Sequence, residues 1–344
     1  MLSILLFSLG LGTTLTFSST HWLLAWMGLE INTLAIIPLM AQRHHPRAVE
    51  ATTKYFLTQA TAAAMILFAA SSNAWLSGQW EIQQAMHPLP MTFLVIALAL
   101  KLGLAPLHSW LPEILQGLDL TTGLILSTWQ KLAPFALLLQ IFPLSPTLSI
   151  ILGVLSILVG GWGGLNQTQL RKILAYSSTA HLGWIIIVLQ FSPSLSLLAL
   201  LTYFILTSSA FLLFKLNKSV NINMLASSWA KAPILTALVP LVLLSLGGLP
   251  PLTGFMSKWL ILQELTKQGL APTALLAALG ALLSLYYYLR LAYAATLTLS
   301  PNNQIGATPW RLETPQMKLP LALSTTAAIM LLPITPSLVA LTSF

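Results

Sequence analysis

Four ionisable side chains lie inside otherwise apolar stretches of this sequence: Glu30, Lys101, Lys131 and Lys258. A charged side chain at the centre of a membrane helix costs about 2.5–3.5 kcal/mol on insertion scales, so such residues normally face a protein interior or a wet cavity. Burial favours the neutral form of a lysine, whereas a nearby carboxylate favours the charged form. A lysine balanced between these effects takes up and releases a proton after small movements. The chemistry predicted by these residues is proton transfer.

Glu30, in W-M-G-L-E-I-N-T-L, is the only acidic residue deep in an apolar stretch, which makes it the natural partner of a buried lysine. The alternative is a neutral carboxyl group held by hydrogen bonds from neighbours such as Asn32 or Thr33. Lys131 lies in L-I-L-S-T-W-Q-K-L-A-P-F, in the middle of another apolar stretch. Its alternative role is an internal pair with Glu30 or with the carbonyl at a helix end.

The other two lysines lie next to predicted helix breaks. Lys101 precedes Pro106 in A-L-A-L-K-L-G-L-A-P-L-H-S-W-L-P, and a proline removes a backbone donor and clashes one turn back. Backbone carbonyls freed there could hold water, and His108 follows the proline. Lys258 ends L-G-G-L-P-P-L-T-G-F-M-S-K, in which two glycines and two prolines break the helix. Its alternative is to extend its amine to the membrane interface.

Several other polar residues allow two interpretations. His181, in Y-S-S-T-A-H-L-G-W, has the near-neutral titration of a proton relay, but equally fits a histidine satisfied in the core. Arg290 follows three tyrosines and is interpreted as an interfacial anchor. Glu113 and Asp119 are interpreted as loop charges.

The composition predicts an integral membrane protein. Only 6% of the 344 residues are charged, against roughly 25% in soluble domains. Hydrophobic residues make up 56% and the mean hydropathy is +0.84, more apolar surface than one soluble core could bury. The net charge of +8 is spread between apolar runs instead of forming one basic face, so no nucleic-acid partner is expected.

The same composition excludes several cofactors from this chain. The sequence has no cysteine, which rules out cysteine-bound iron–sulfur clusters, disulfides and cysteine-bound zinc. Neither a G-x-G-x-x-G fingerprint after a strand nor a Walker loop is present, and the six histidines are scattered, two of them (His44 and His45) in a basic loop. If the chain serves a redox enzyme, the electrons travel through other subunits.

A membrane-spanning helix needs roughly 20 apolar residues. About eleven such spans are predicted: 2–19, 22–41, 52–72, 90–110, 121–141, 147–165, 173–191, 194–214, 234–265 (broken), 271–299 and 320–340. They are expected to form a single bundle over 1–344, with a first five-helix unit at 1–141, a second at 147–299 and a final helix.

The basic loops predict the orientation of these spans. Alternate loops carry the Lys and Arg residues: Arg43, Arg47 and Lys54; Arg171 and Lys172; Lys215, Lys218 and Lys231; Arg311 and Lys318. The intervening loops 73–89, 142–146 and 192–193 have none, and the broken helix is followed only by Lys267. The N-terminus is therefore expected on the basic side. The first span lacks a signal-peptide pattern, which fits a chain made inside the organelle that uses it and fits many bacterial membrane proteins equally well.

In both five-helix units the fourth helix is the broken one that bears a lysine. An offset of five spans makes the two units run in opposite directions through the membrane. Inverted repeats with paired broken helices are typical of transporters, whose ion sites lie at the breaks. The pattern therefore favours ion transport.

Four segments, in this order, resemble the antiporter-like membrane subunits of NADH–quinone oxidoreductase (respiratory complex I). They are K-L-G-L-A-P-L-H-S-W-L-P-E, T-W-Q-K-L-A-P, R-K-I-L-A-Y-S-S-T-A-H-L-G and S-L-G-G-L-P-P-L-T-G-F-M-S-K-W. The resemblance covers about residues 22–265. The short N-terminus and M-G-L-E-I-N-T-L resemble the animal mitochondrial members, which implies the mitochondrial inner membrane, with the basic side facing the matrix.

The resemblance also implies roles for individual residues. Glu30 and Lys101 would form a gating ion pair, Lys131 the central relay and Lys258 the terminal proton carrier. His108 and His181 would lie on the same polar axis as possible relays. Fuller family members carry about fourteen helices, and this chain is expected to lack the first three.

The resemblance implies a function within a larger assembly. Other membrane-arm subunits, neighbouring antiporter-like subunits among them, would be partners together with lipids, and flavin, iron–sulfur clusters and quinone would be bound elsewhere. Two competing functions remain open: a cation/proton antiporter subunit, and a structural membrane spacer that pumps nothing. A spacer gains nothing from the insertion cost of four buried charges.

Overall fold

The structure is a computed structural model that describes residues 2–41, 45–82, 84, 86–141, 146–230, 232–297 and 318–342. Within these ranges the chain is helical, and β-type backbone pairing is limited to two isolated bridges, His21 with Glu81 and Gln169 with Asn221. The chain divides into two compact units, Met1–Leu152 and Gly153–Phe344. The prediction of a single bundle with boundaries at 1–141, 147–299 and 320–340 stays a prediction.

The first unit contains six helices and the start of a seventh. They are α1 (Leu2–Ser18), α2 (Trp22–Met40), α3 (Pro46–Ser77), α4 (Pro88–Leu102), α5 (Trp110–Gly117), α6 (Leu120–Gln140) and α7 (Pro146–Gly163). Prolines begin α3 and α4, where a missing N–H costs nothing because the first turn has no intrahelical acceptor for it. Helix α3 runs several residues beyond the predicted span 52–72 at both ends.

The second unit is built around two buried helices, α8 (Leu170–Leu189) and α9 (Pro193–Leu216). Its other helices are α10 (Ile222–Ala226), α11 (Pro233–Gly247), α12 (Thr253–Lys267), α13 (Ala271–Thr296), α14 (Lys318–Met330) and α15 (Thr335–Thr342). Helix α9 packs against α8, α11, α12, α14 and α15, so it forms the centre of this unit.

The helices support a multi-pass membrane protein. Five of the described helices, α2, α3, α8, α9 and α13, are long and apolar enough to cross a membrane, and the bent pair α14–α15 would make a sixth. Shorter apolar helices are α1, α4, α11 and the Thr147–Gly163 part of α7. Each predicted span overlaps a helix or a pair of helices, and the count of eleven membrane spans stays a prediction.

The prediction of one continuous helix over 320–340 was wrong. Instead of one helix over 320–340, α14 ends at Met330, a 3₁₀ turn covers Leu332–Ile334, and α15 leaves at an angle of 67°. Pro333 and Pro336 explain the break, because neither can donate a backbone hydrogen bond and both crowd the preceding turn. The two prolines were visible in the sequence.

Several charged residues near the ends of helices have partners in the structure. Lys54 on α3 contacts Glu50 at 2.8 Å and Glu113 at 2.9 Å. Glu113 is therefore part of a surface ion pair between α3 and α5 and not a loop charge. Asp119 lies at the start of α6, and Arg290 donates to the backbone oxygens of Leu165 at 2.6 Å and of Gln167. Four residues of the predicted basic loops, Arg43, His44, Lys231 and Arg311, lie outside the described residues.

Helices α1 and α2 approach each other at glycines. A Cβ atom added to Gly28 would lie 2.7 Å from Thr16 Cγ2 and 2.9 Å from the Gly12 carbonyl oxygen. We expect Gly28→Ala to push the helices apart and to lower the stability of this unit by about 1–3 kcal/mol, the usual cost of overpacking. The measurement is the thermal denaturation of the chain in its native membrane. Gly10→Ala is the matched control, because nothing lies within 4 Å of its added Cβ; equal losses in both variants would contradict the packing argument.

Candidate functional site

The first predicted helix break lies directly after Lys101. Helix α4 ends at Leu102, Gly103 adopts φ +82°, and α5 begins at Trp110. The freed carbonyls of the last turn accept hydrogen bonds: Gly103 N donates to Ala99 O at 2.9 Å, and Trp110 Nε1 donates to Leu100 O at 3.0 Å. Lys101 lies in this turn and is only 5% exposed. The negative end of the helix dipole favours a cation at this position.

A small polar cavity brings Lys101 together with Lys131. Both lysines line it, and Lys131, on α6, is 2% exposed. The cavity has room for about one water molecule. Its remaining polar lining comes from α2, α3 and α6: Asn32, Thr33, Tyr55, Gln59 and Gln130. The structure therefore places the two lysines of the first unit at one shared polar space.

Glu30 lies near this cavity without lining it. Glu30 as a whole is half-buried on α2, but its Oε2 is buried and has no hydrogen-bond partner in the part of the chain that the structure describes. It acts electrostatically on Lys101, but no direct ion pair joins the two side chains. Thr33 donates to the backbone oxygen of Glu30 at 2.8 Å and not to its carboxylate. The gating ion pair stays a prediction.

The second predicted break places Lys258 against a helix end. Helix α11 ends at Gly247, Gly248 adopts φ +80°, and α12 begins at Thr253. Lys258 Nζ donates to the carbonyl oxygens of Gly247 at 2.8 Å and of Leu246 at 3.3 Å. The amine therefore caps the C-terminus of α11. The last carbonyl groups of a helix have no N–H donor within that helix, so those of α11 can serve as the partners of the Lys258 amine in place of a carboxylate.

The two histidines lie in different settings. His108 is half-buried in the turn between α4 and α5. His181 is half-buried on α8, with Nδ1 2.7 Å from Ser177 O and its ring centre 5.7 Å from that of Tyr203 on α9. One ring nitrogen of His181 is thus satisfied within its own helix. The relay roles of both histidines stay predictions.

The buried amides of the cavity were not predicted as site residues from the sequence, where Asn32 was considered only as a hydrogen-bond donor to Glu30. Asn32 is 2% exposed and Gln59 is 4% exposed. Gln130 donates from Nε2 to the backbone oxygen of Asn32 at 3.1 Å and so ties α6 to α2. An uncharged amide inside an apolar stretch was the available signal, since it too is costly to bury without a partner.

Two known protein families match this chain, and together they cover most of its length. The family described as NADH:quinone oxidoreductase/Mrp antiporter matches residues 19–284, a range that includes both predicted helix breaks and the four ionisable residues of the apolar stretches. The chain belongs to the NADH:quinone oxidoreductase/Mrp antiporter family. A second family, described as NADH dehydrogenase subunit 2 C-terminus, matches residues 285–339 of this antiporter-family chain.

Relatives of this antiporter-family chain cover nearly its whole length. It is 74% identical over 337 residues to NADH-ubiquinone oxidoreductase chain 2 of Tetraodon nigroviridis, covering 98% of this chain and 97% of that one. A chain of respiratory complex I from Thermus thermophilus is 30% identical with a TM-score of 0.88, covering 98% of this chain and 79% of that one. A chain of the Mrp complex from Dietzia sp. shares the fold, with a TM-score of 0.81 at 15% identity and coverage of 98% and 76%.

Gly248 provides a test of how this member of the antiporter family positions Lys258. A Cβ atom added there would lie 2.9 Å from Lys258 Cδ and 3.1 Å from its Nζ. We expect Gly248→Ala to displace the amine from the α11 carbonyls and to lower proton translocation per NADH oxidised by the membrane complex. Gly269→Ala is the matched control, because Gly269 has a similar φ of +74° but nothing within 4 Å. Both variants carry a backbone strain of about 1–2 kcal/mol, so equal effects on translocation would contradict this role of Gly248.

Proposed function

We propose that this chain is an antiporter-like membrane subunit of NADH:ubiquinone oxidoreductase that carries protons on its buried lysines. The observation that carries the proposal is that both helix breaks predicted from the sequence hold a lysine: Lys101 lies in the last turn of α4, and Lys258, on α12, donates to the end of α11. The name of the Tetraodon relative supports the enzyme complex. No redox chemistry is assigned to this chain itself.

The proposed mechanism begins at the first break. A proton from the basic side loads Lys101 or Lys131 through water at the end of α4. Weakening of the Glu30–Lys101 interaction then favours the neutral form of Lys101, and its proton passes through Lys131 towards Lys258. Electrostatics suffices for this step, because two unit charges 4 Å apart interact by about 4 kcal/mol at an effective dielectric constant of 20. His108 and His181 are possible relays in the same path.

The finer architecture belongs to this proposal. Eleven spans would be arranged as two inverted five-helix repeats with one broken helix each, followed by the C-terminal pair α14–α15. Ion sites at paired helix breaks are typical of such repeats. The N-terminus would lie on the matrix side of the mitochondrial inner membrane. It lies on the same side as the loops rich in lysine and arginine, and such loops are normally not moved across the membrane.

In the proposed assembly, other subunits bind the redox cofactors. Flavin, iron–sulfur clusters and quinone would be bound by other subunits, which is consistent with a sequence that has no cysteine. Neighbouring antiporter-like subunits of the membrane arm and membrane lipids would contact its apolar surface. Exposed large apolar side chains on α13, such as Leu275, Leu282 and Tyr286, are available for such contacts.

The proposal is tested by locating the chain in its native membrane. The membrane is solubilised mildly, separated on a native gel and stained for NADH oxidation, and the chain is then located by mass spectrometry. We expect it only in the very large band that oxidises NADH. Its presence in a small complex without that activity would contradict the proposal and favour a cation/proton antiporter, whose ion exchange would then be assayed.

A non-pumping spacer and a pump would both be found in the large NADH-oxidising band, so the native gel does not distinguish them. Substitution of the buried lysines does. In a spacer, loss of a buried lysine affects only the stability of the subunit. In a pump, the same substitution stops transport while the complex still assembles. The lysine variants described in the Discussion separate these two functions.

A further inference from the structure

Four buried polar atoms on three residues that line one cavity have no hydrogen-bond partner within the described ranges of the chain. They are Nδ2 and Oδ1 of Asn32, Nε2 of Gln59 and Nζ of Lys101. All three residues line the cavity that Lys131 also lines. Nearly all buried polar groups in proteins are bonded to protein atoms or to ordered water. Four such atoms at one cavity point to a bound polar molecule.

The size and chemistry of the cavity identify that molecule. The space fits about one water molecule, and a buried water needs two to four polar partners. The lysine amine and the glutamine amide can donate to it, while the asparagine carbonyl oxygen can accept from it. Two lysines oppose a cation at this site, and the space is too small for a hydrated ion. Water fits both the volume and the donor set.

We propose that Asn32 and Gln59 position a water molecule between Lys101 and Lys131, and that this water passes the proton from one lysine to the other. The water accepts a proton from the ammonium group of Lys101 and gives a different proton to the neutral amine of Lys131. Lys101 is left neutral, Lys131 becomes charged, and the water is regenerated. The inference rests on the proposed function, because it concerns a step of that proton path.

Amide side chains suit this position better than ionisable ones. An amide presents a donor and an acceptor, so it can hold a water whose hydrogen bonds reverse direction during transfer. It does not titrate near neutral pH and therefore does not trap the proton. The surroundings hold the Asn32 amide in place: a Cβ atom on Gly12 would overlap it, and Gln130 is bonded to its backbone.

The test uses the intact membrane complex with Gln59→Met or Asn32→Leu, which keep approximate volume and remove the amide. We expect either variant to lower the ratio of protons translocated to NADH oxidised as far as Lys131→Met does. Gln59→Asn keeps an amide and should retain most of the wild-type ratio. Asn217→Leu is the matched control, because Asn217 is also buried, at 7% exposure, and its amide has no partner among the described residues, but it does not line this cavity. It should leave the ratio unchanged.

The outcomes separate this inference from the proposed function. If Lys131→Met lowers the ratio but Gln59→Met and Asn32→Leu do not, the positioning role is wrong and the lysine path stands. If Lys131→Met itself leaves the ratio unchanged, the proposed function fails. A density map of the complex that resolves ordered water should show one peak within hydrogen-bond distance of Asn32 and Gln59. A cavity that is dry in such a map overturns the inference directly.

Discussion

Replacing Lys131 with methionine should abolish the proton translocation that belongs to this subunit while the complex still assembles and oxidises NADH. Methionine matches the lysine stem in length and is a good helix former, so α6 should keep its packing. The lost group is the amine at the polar cavity, where only 2% of the residue is exposed. The measurement is the ratio of protons moved to NADH oxidised in vesicles that contain the reconstituted complex.

Lys54→Met is the matched control for this experiment. Lys54 is an exposed lysine in the same unit, paired at the surface with Glu50 and Glu113. Surface pairs of this kind contribute about 0–1 kcal/mol, so we expect neither assembly nor the proton ratio to change. An unchanged ratio in Lys131→Met would remove this lysine from the proton path. Failure of Lys131→Met to assemble, with no effect on the ratio in surviving complex, would favour the structural spacer.

Replacing Lys258 with arginine should stop transport without removing the positive charge at the second break. A guanidinium group can still donate to the carbonyl oxygens of Leu246 and Gly247, so the end of α11 stays capped. It cannot release its proton in a protein, because its affinity for the proton is too high. We expect complete loss of the translocation that depends on this subunit, with assembly close to wild type.

The arginine variant separates proton release from charge. Lys258→Met removes both the cap and the titrating group, so it should lower stability as well as transport. Lys267→Met is the control in the same helix, since Lys267 is exposed and only 3.8 Å from Glu264 at the surface. Wild-type translocation in Lys258→Arg would show that a fixed charge suffices there, which contradicts a carrier role.

The breaks and their lysines were predictable because their causes are local. Gly103 with Pro106 and Gly248 with the following prolines interrupt the helices wherever those helices pack, and both predicted breaks are confirmed. The same local rule was available for the final span, where Pro333 and Pro336 break the helix that we predicted to be continuous. That error came from applying the length criterion of a span before the proline rule.

The partners of the lysines were not predictable because they depend on contacts between elements. Lys258 meets carbonyl oxygens eleven and twelve residues earlier only because the chain turns back at Gly248. Asn32 and Gln59 share a cavity with Lys101 only because α3 packs against both α2 and α4. The sequence indicated that the lysines need partners, but not that backbone carbonyls and amides surround them. Glu30 was the obvious carboxylate, and it lies near Lys101 without a direct ion pair.

The measurement that tests the central claim most directly is the proton-to-NADH ratio of a complex that carries Lys131→Met and Lys258→Arg together. If both lysines lie on one path, blocking it twice costs no more than blocking it once, whereas losses at independent sites add. We predict that the double variant and each single variant share one lowered ratio. A wild-type ratio in either single variant, or a further loss in the double variant, would contradict a single proton path through this subunit.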